Sequence, residues 1–123
     1  MNAWLVRDAA TGRVLASRVR RADGWLERTL GFLPRSALGM DEGLWIPRCR
    51  AVHTLGMRVP LDVVFVDRDG RVVRIEVAVA AGRWHVGEPR AHAVAEFAAG
   101  FAAANALAVG SVLALEPAVS ASR

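Results

Sequence analysis

The sequence predicts a small α+β domain built on a mainly antiparallel β-sheet or barrel-like core with one or two short helices. Residues 61–79 form two apolar stretches around a tight turn, as an antiparallel hairpin does. Further short apolar runs are separated by glycine or proline, which is typical of many short strands. With 123 residues, 54% of them hydrophobic, the chain has the size and composition of one globular domain spanning residues 1–123. Only residues 118–123 are expected to form a disordered tail.

The N-terminal part is predicted to contain two strands followed by a helix. Strands at residues 4–7 and 13–19 flank the turn sequence Ala10-Thr11-Gly12. Asp23 is suited to cap a helix, and Glu27 lies favourably in its first turn. That helix would end near Pro34, and its apolar stripe would consist of Trp25, Leu26, Leu30 and Leu33.

The centre of the chain is predicted to be a run of strands delimited by two prolines. Pro47 and Pro60 separate strands at residues 43–46, 50–59 and 61–67. Asp67-Arg68-Asp69-Gly70 is a good hairpin loop, because Gly70 can take a positive φ. On the return strand, the alternation places Arg74 and Glu76 on one face, opposite Val73, Ile75, Val77 and Val79.

Two interpretations of the C-terminal third remain open on residue pattern alone. Val94, Phe97 and Phe101 fall at helical spacing in an alanine-rich run, which favours a helix. Gly100 would cost such a helix about 1 kcal/mol relative to alanine. The alternative is a strand at residues 93–97, a turn near Gly100 and a short helix ending at residue 106. A last strand is expected at residues 112–115.

Composition argues against several classes of function. The 16 basic residues are all arginine. Together with 12 acidic residues they give a modest net charge of +4. The cluster Arg18, Arg20 and Arg21 has no interleaved aromatic residues on which bases could stack, so nucleic-acid binding is not expected. The single cysteine, Cys49, excludes an internal disulfide. There is no secretory signal and no apolar stretch of about 18 residues, so we expect a cytoplasmic protein without a membrane span.

Several segments resemble one prokaryotic family. The run Val59-Pro60-Leu61-Asp62-Val63-Val64-Phe65-Val66-Asp67, followed by Gly70, resembles the "IPLDIIFID-x-DG" signature of domain of unknown function 192. Weaker matches, at residues 28–33, 43–46, 94–96 and 110–112, extend the resemblance over about residues 25–115. Where the family has "FWMKNT", this chain has Val52-His53-Thr54-Leu55-Gly56-Met57. The resemblance implies an antiparallel, barrel-like α+β domain and favours the strand, turn and short helix in the C-terminal third. It implies no known activity.

The residues predicted to line a binding site are His53, Thr54, Met57, Asp62 and Glu96. On a strand, His53 and Met57 share one face, where a structural role in the core is the main alternative. Asp62 follows a proline at a strand start, where a carboxylate often accepts backbone N–H bonds or pairs with Arg58. Glu96 lies in an apolar stretch, so a buried Glu96 is expected to be paired with an arginine or histidine. The leading hypothesis is a non-catalytic accessory domain that binds an unidentified small molecule or protein.

Two other functions stay open. One is a small hydrolase or lyase that uses His53 with Asp62 or Glu96 as acid and base. The other is a soft-metal site for Cu or Zn at Cys49, His53 and Met57. Residues four apart on a strand lie about 13 Å apart, so these three could bind one ion only if a helix, turn or bulge brought them together. No cofactor is expected, and the sequence does not define an oligomeric state.

Overall fold

The computed structural model describes residues 3–22, 38–52, 60–79 and 86–118. These residues form nine strands and one four-residue helix. The strands are β1 (Trp4–Asp8), β2 (Val14–Arg21), β3 (Glu42–Pro47), β4 (Ala51–Val52), β5 (Leu61–Val66), β6 (Val72–Val79), β7 (Val86–Gly87), β8 (Ala93–Ala98) and β9 (Leu113–Pro117), and the helix is α1 (Phe101–Ala104). No helix in these ranges is long and apolar enough to cross a membrane.

Seven of the strands form one curled sheet with the order β6-β5-β8-β3-β2-β1-β9, while β4 and β7 form a separate two-stranded ribbon. Within the large sheet all neighbours are antiparallel except β2 and β3. The two edges approach each other at one end, where Arg71 bridges Val112 and Leu113 N–H donates to Gly70 O at 2.8 Å. The sheet is therefore a half-barrel whose two edges are hydrogen-bonded to each other at this end.

Each face of the sheet carries its own apolar cluster, as expected where both faces are removed from water. The inner cluster, on the concave face, comprises Val6, Leu15, Ala16, Val19, Trp45, Val64, Val66, Val72, Ala93, Ala95, Phe97, Phe101 and Leu113. The outer cluster, on the other face, comprises Ala22, Leu44, Ile46, Leu61, Val63, Phe65, Val79, Ala91 and Val94. Strands β5 and β8 are buried along their whole length, so they form the centre of the fold.

The helix is attached to the sheet through two stacked phenylalanines. The rings of Phe97 on β8 and Phe101 on α1 lie 3.9 Å apart and nearly parallel. The Phe97 ring crosses β3 directly above Gly43, where an added Cβ would come within 2.6 Å of the ring. Gly43 is required because only the absence of a side chain permits this close approach.

Most of the predicted strands are confirmed. Both N-terminal strands, the hairpin around residues 67–70 and the positive φ of Gly70 (82°) are present. In the C-terminal third the continuous helix is wrong, because residues 93–98 pair with β3 and β5 and α1 begins only after Gly100.

The predicted alternation on β6 is only partly correct. Arg74 and Glu76 do share a face and form an ion pair. Val77, however, is 63% exposed, and Val73 and Ile75 pack against different clusters. Register shifts in the β5–β6 pairing break the simple period of two.

Two further predicted elements lie outside the described residues. They are the helix near residues 23–33 and most of the strand at residues 50–59, of which only residues 50–52 are described and only Ala51–Val52 form a strand, β4. The described part is mostly sheet, so the α+β class is supported only by one short helix.

Candidate functional site

An open cleft of about 690 Å³ lies at one end of the half-barrel, and arginines dominate its lining. Three loops contribute: the β3–β4 loop, the β5–β6 hairpin loop and the β7–β8 loop. The lining residues are Arg48, Cys49, Arg50, Asp67, Arg68, Asp69, Pro89, Arg90, Ala91 and His92. We call this feature the arginine cleft.

The sheet order explains why these distant segments meet. Ala93, the first residue of β8, pairs with Pro47 at the end of β3 on one side and with Val66 at the end of β5 on the other. The loop that leads into β8 therefore lies between the loops that leave β3 and β5. Neighbouring strands are about 4.8 Å apart, so the two outer loops leave the sheet about 10 Å from each other.

Backbone hydrogen bonds fix the three loops relative to one another. Cys49 N–H donates to His92 O at 3.0 Å, and His92 N–H donates to Val66 O at 2.7 Å. Glu88 N–H donates to Arg50 O at 2.8 Å. The cleft is thus formed by backbone that is already hydrogen-bonded, a condition that lowers the entropic cost of binding.

One arginine of the cleft is held in place by a neighbouring carboxylate. The Arg90 guanidinium donates to Glu88 through Nε at 2.7 Å, and its Nη2 also reaches Val73 O at 3.2 Å. The same hydrogen bond from Arg90 holds the pKa of Glu88 below its usual value. Arg90 is therefore oriented before any ligand arrives.

The other basic side chains differ in their environment. Arg50 and Arg68 are exposed, and no residue in the described ranges accepts a hydrogen bond from either guanidinium. Arg48 takes a positive φ of 52°, which costs a non-glycine residue about 1–3 kcal/mol and is concentrated at functional sites.

Two carboxylates also line the cleft, and one of them already accepts hydrogen bonds from the backbone of its own turn. Asp67 Oδ1 accepts hydrogen bonds from Asp69 N–H at 2.9 Å and Arg71 N–H at 3.0 Å, as predicted for a turn-forming aspartate. Asp69 is exposed. Four arginines against two aspartates leave the lining with an excess of two positive charges when His92 is neutral.

Asp62, a predicted site residue, is fully buried and hydrogen-bonded to three backbone N–H groups. Its Oδ1 accepts from Ala78 at 2.8 Å, and its Oδ2 accepts from Gly100 at 3.2 Å and Ala102 at 2.9 Å. The expectation of backbone acceptance is confirmed. Asp62 lies opposite Phe97 on the inner face, and its carboxylate ties β5, β6 and the start of α1 together.

Glu96, the other described site residue, lies on the outer face of the same sheet. It is 6% exposed and is flanked across the sheet by Leu44 on β3 and Val63 on β5. No described residue donates a hydrogen bond to its carboxylate, so the expected arginine or histidine partner is not found among them. Burial among apolar neighbours raises its pKa from 4.5 to about 7. The structure does not bring Glu96 and Asp62 together, since they point to opposite faces.

His53, Thr54 and Met57 lie outside the described residues, so their predicted roles stay predictions. Within the described ranges no three histidine, cysteine, aspartate or glutamate side chains cluster as a metal site would require. Cys49 is half-buried, and its thiol donates to Ala51 O at 3.0 Å.

Sequence reasoning missed the arginine cleft. The available signal was the presence of arginine in three of the loops that flank β3, β5 and β8. It was not decisive, because the order of those strands in the sheet was unknown.

The fold and the cleft define a small, mostly β, half-barrel domain with a basic loop cluster at one end. The chain belongs to the family domain of unknown function 192 (DUF192), described as "Uncharacterized ACR", whose profile matches residues 6–115. Among curated proteins no sequence matches this chain.

Solved structures share this fold. A protein of unknown function from Novosphingobium aromaticivorans has 24% sequence identity and a TM-score of 0.77, with 91% of this chain and 83% of that chain covered. A proposed transcription regulator from Sinorhizobium meliloti has 20% identity and a TM-score of 0.78, with coverage of 93% and 95%. A proposed exported protein from Burkholderia pseudomallei has 20% identity and a TM-score of 0.50, and the match covers 93% of this chain but 24% of that longer one. These identities establish a common fold and no common activity.

Proposed function

We propose that this protein is a non-catalytic accessory domain that binds a small anionic molecule in the arginine cleft. The observation that carries the proposal is the convergence of four arginines from three sequence-distant loops on one cavity. Guanidinium groups match the planar oxygen pairs of carboxylates and phosphates, and such charge-assisted bonds are about twice as strong as neutral ones. A volume of about 690 Å³ lies within the range of small-molecule sites.

Thermal-shift measurements at constant ionic strength test this proposal. The panel contains small carboxylates and phosphate esters beside neutral and cationic compounds of similar size. We expect the melting temperature to rise with anionic compounds, and the rise to be lost when Arg50 and Arg68 are both replaced by glutamine. Asp69→Asn removes a negative charge from the lining and is expected to strengthen the response.

The matched control is Arg13→Gln, which removes an exposed positive charge from the β1–β2 connection, outside the cleft. It should leave the shift unchanged. A shift that survives the double replacement, or a response confined to neutral compounds, would contradict the proposal. No response to any compound would also count against it and would redirect the search to a protein partner.

A second candidate function is favoured by Glu96. A buried carboxyl with a pKa of about 7 can both give and take a proton near neutral pH, as general acid–base catalysis requires. In that hydrolase or lyase, Glu96 rather than Asp62 is the better partner for His53, because three backbone donors already occupy Asp62. Once turnover of a substrate has been detected, an unchanged rate in His53→Ala and Glu96→Gln would exclude this candidate.

Two expectations remain proposals. The soft-metal site at Cys49, His53 and Met57 is tested by metal content after purification without a histidine tag. Protein that is free of metal and takes up neither Cu(I) nor Zn would rule it out. The cytoplasmic location is tested by fractionation of the native cells.

A further inference from the structure

The arginine cleft carries one exposed arginine on each of two sides, Arg50 and Arg68, and a less polar strip separates them. Arg50 follows β3, Arg68 follows β5, and the segment carrying Ala91 and His92 runs between them into β8. Because two strand spacings separate β3 from β5, the loops that carry the two arginines leave the sheet about 10 Å apart. Ala91 is buried and His92 is half-buried, so this middle segment forms the floor.

The two aspartates of the cleft both lie on the Arg68 side, and the loop that carries Arg50 adds no acidic residue to the lining. Asp67 and Asp69 belong to the hairpin loop, beside Arg68. Asp67 already accepts two backbone hydrogen bonds, whereas Asp69 remains exposed. On the other side, the Glu88 carboxylate is bound to Arg90. Neither Arg50 nor Arg68 is engaged by an acceptor in the described part of the chain, so both are available to a ligand.

We propose that the ligand carries two anionic groups and bridges the cleft, with one group bound by Arg50 and the other by Arg68. This inference rests on the proposed function and narrows its ligand class to molecules with two separated charges. Diphosphates and dicarboxylates both satisfy this chemistry, because a guanidinium binds either group through paired N–H donors. The middle segment contacts the part of the ligand that links the two groups.

Isothermal titration at constant ionic strength distinguishes two-point from one-point binding. The probes are pyrophosphate against orthophosphate, and succinate against acetate. We expect at least one two-group probe to bind about tenfold or more tightly than its one-group counterpart, as a second charge-assisted contact implies. The better pair also tells a phosphate ligand from a carboxylate one.

Single replacements then test both sides. Arg50→Gln and Arg68→Gln should each lower the affinity of the two-group probe to about that of its one-group counterpart. Arg13→Gln, measured in parallel, should change it less than about twofold, because its charge lies outside the cleft. Circular dichroism of each variant checks that the exposed replacements leave the fold intact.

Two results would overturn bridging. If one-group and two-group probes bind equally and respond equally to each replacement, the cleft is a one-point anion site and only the broader proposed function survives. If none of the four probes binds at millimolar concentration, bridging by simple dianions fails. The compound panel described above then decides separately whether the cleft binds anions at all.

Discussion

At the scale of single residues, two buried carboxylates occupy neighbouring rows of the same sheet and experience opposite environments. Asp62 points to the inner face, where three backbone N–H groups surround it. Glu96 points to the outer face, between Leu44 and Val63, where the nearest charged residues of its row, Glu76 and Arg20, are each two strands away. Two strand spacings correspond to about 10 Å. Hydrogen bonds therefore offset the cost of burying the Asp62 carboxylate. For Glu96, no described residue provides such hydrogen bonds.

The residue-scale prediction concerns Glu96 and pH. The carboxyl titrates at about 7 in the folded protein against an ordinary 4.5, so the folded state holds an extra proton between these values. The contribution of Glu96 to stability should therefore be highest below pH 4.5, fall as the pH rises to about 7, and level off above it. Glu96→Gln removes this loss and should stabilise the protein by about 3 kcal/mol on the alkaline side of the window.

Denaturant unfolding of both proteins across this range provides the measurement. The difference between variant and parent isolates Glu96 from acids such as Asp41, whose pKa is lowered by Arg18 and which gives the opposite slope. Glu116→Gln controls for removal of a carboxylate at a partly exposed ion pair and should change stability by less than about 1 kcal/mol. A pH-independent difference for Glu96→Gln would show that the pKa of Glu96 is not shifted in the folded protein.

Both carboxylates could be identified from the sequence, but the sequence did not show that they point to opposite faces of the sheet. An acid inside an apolar run is visible from the residues alone, and so is the tendency of an aspartate at a strand start to bind backbone. The face on which each points depends on the register between β5 and β8, where Asp62 pairs with Phe97 and Val63 with Glu96. A shift of one residue would reverse both faces, and nothing in the local pattern specifies that pairing.

At the scale of elements, Asp62 joins parts of the chain that are far apart in sequence. It accepts hydrogen bonds from β6 at Ala78 and from the start of α1 at Gly100 and Ala102. Asp62→Asn leaves one carbonyl oxygen and places an NH₂ group against backbone donors. We expect a loss of about 3 kcal/mol in unfolding free energy, because buried N–H groups lose their acceptor.

Hydrogen exchange locates this effect. Protection of the Ala78 and Ala102 amides should fall more than protection of the β1–β9 pairing, which does not contact Asp62. The matched replacement Asp69→Asn, at an exposed turn, should remain within about 0.5 kcal/mol of the parent. If Asp62→Asn were equally neutral, the three hydrogen bonds would not stabilise the fold.

The sequence predicted an element best where the residues that determine it lie within the element itself. The hairpin between β5 and β6 depends on the turn residues Asp67 and Gly70 and is present as expected. The detailed faces of β6 were wrong at Val77, because bulges depend on contacts with β5 that the alternation of β6 does not reveal. Residues 93–98 have helical spacing but form a strand, since pairing with β3 and β5 outweighs local propensity.

At the scale of the whole molecule, the arginine cleft is a product of topology. Its basic residues are separated by up to about forty positions and meet because β8 lies between β3 and β5. The composition shows only that arginine is abundant. It does not show whether the arginine side chains are scattered over the surface or converge on one site. The order of strands had to be known before a site could be proposed there.

Closure of the half-barrel gives a final prediction. Gly70 has a φ of 82°, and a Cβ there would lie 2.2 Å from the Leu113 carbonyl oxygen, at the point where the β5–β6 loop meets β9. Gly12 has a similar φ of 78° but no atom within 4 Å of its Cβ position. Both replacements by alanine incur the strain of positive φ, about 1–2 kcal/mol. Gly70→Ala should lose roughly 1–3 kcal/mol more, because backbone must move at the closure. Chemical denaturation of the two variants measures this difference directly, and equal losses would show that the contact between the β5–β6 loop and β9 does not hold the barrel closed.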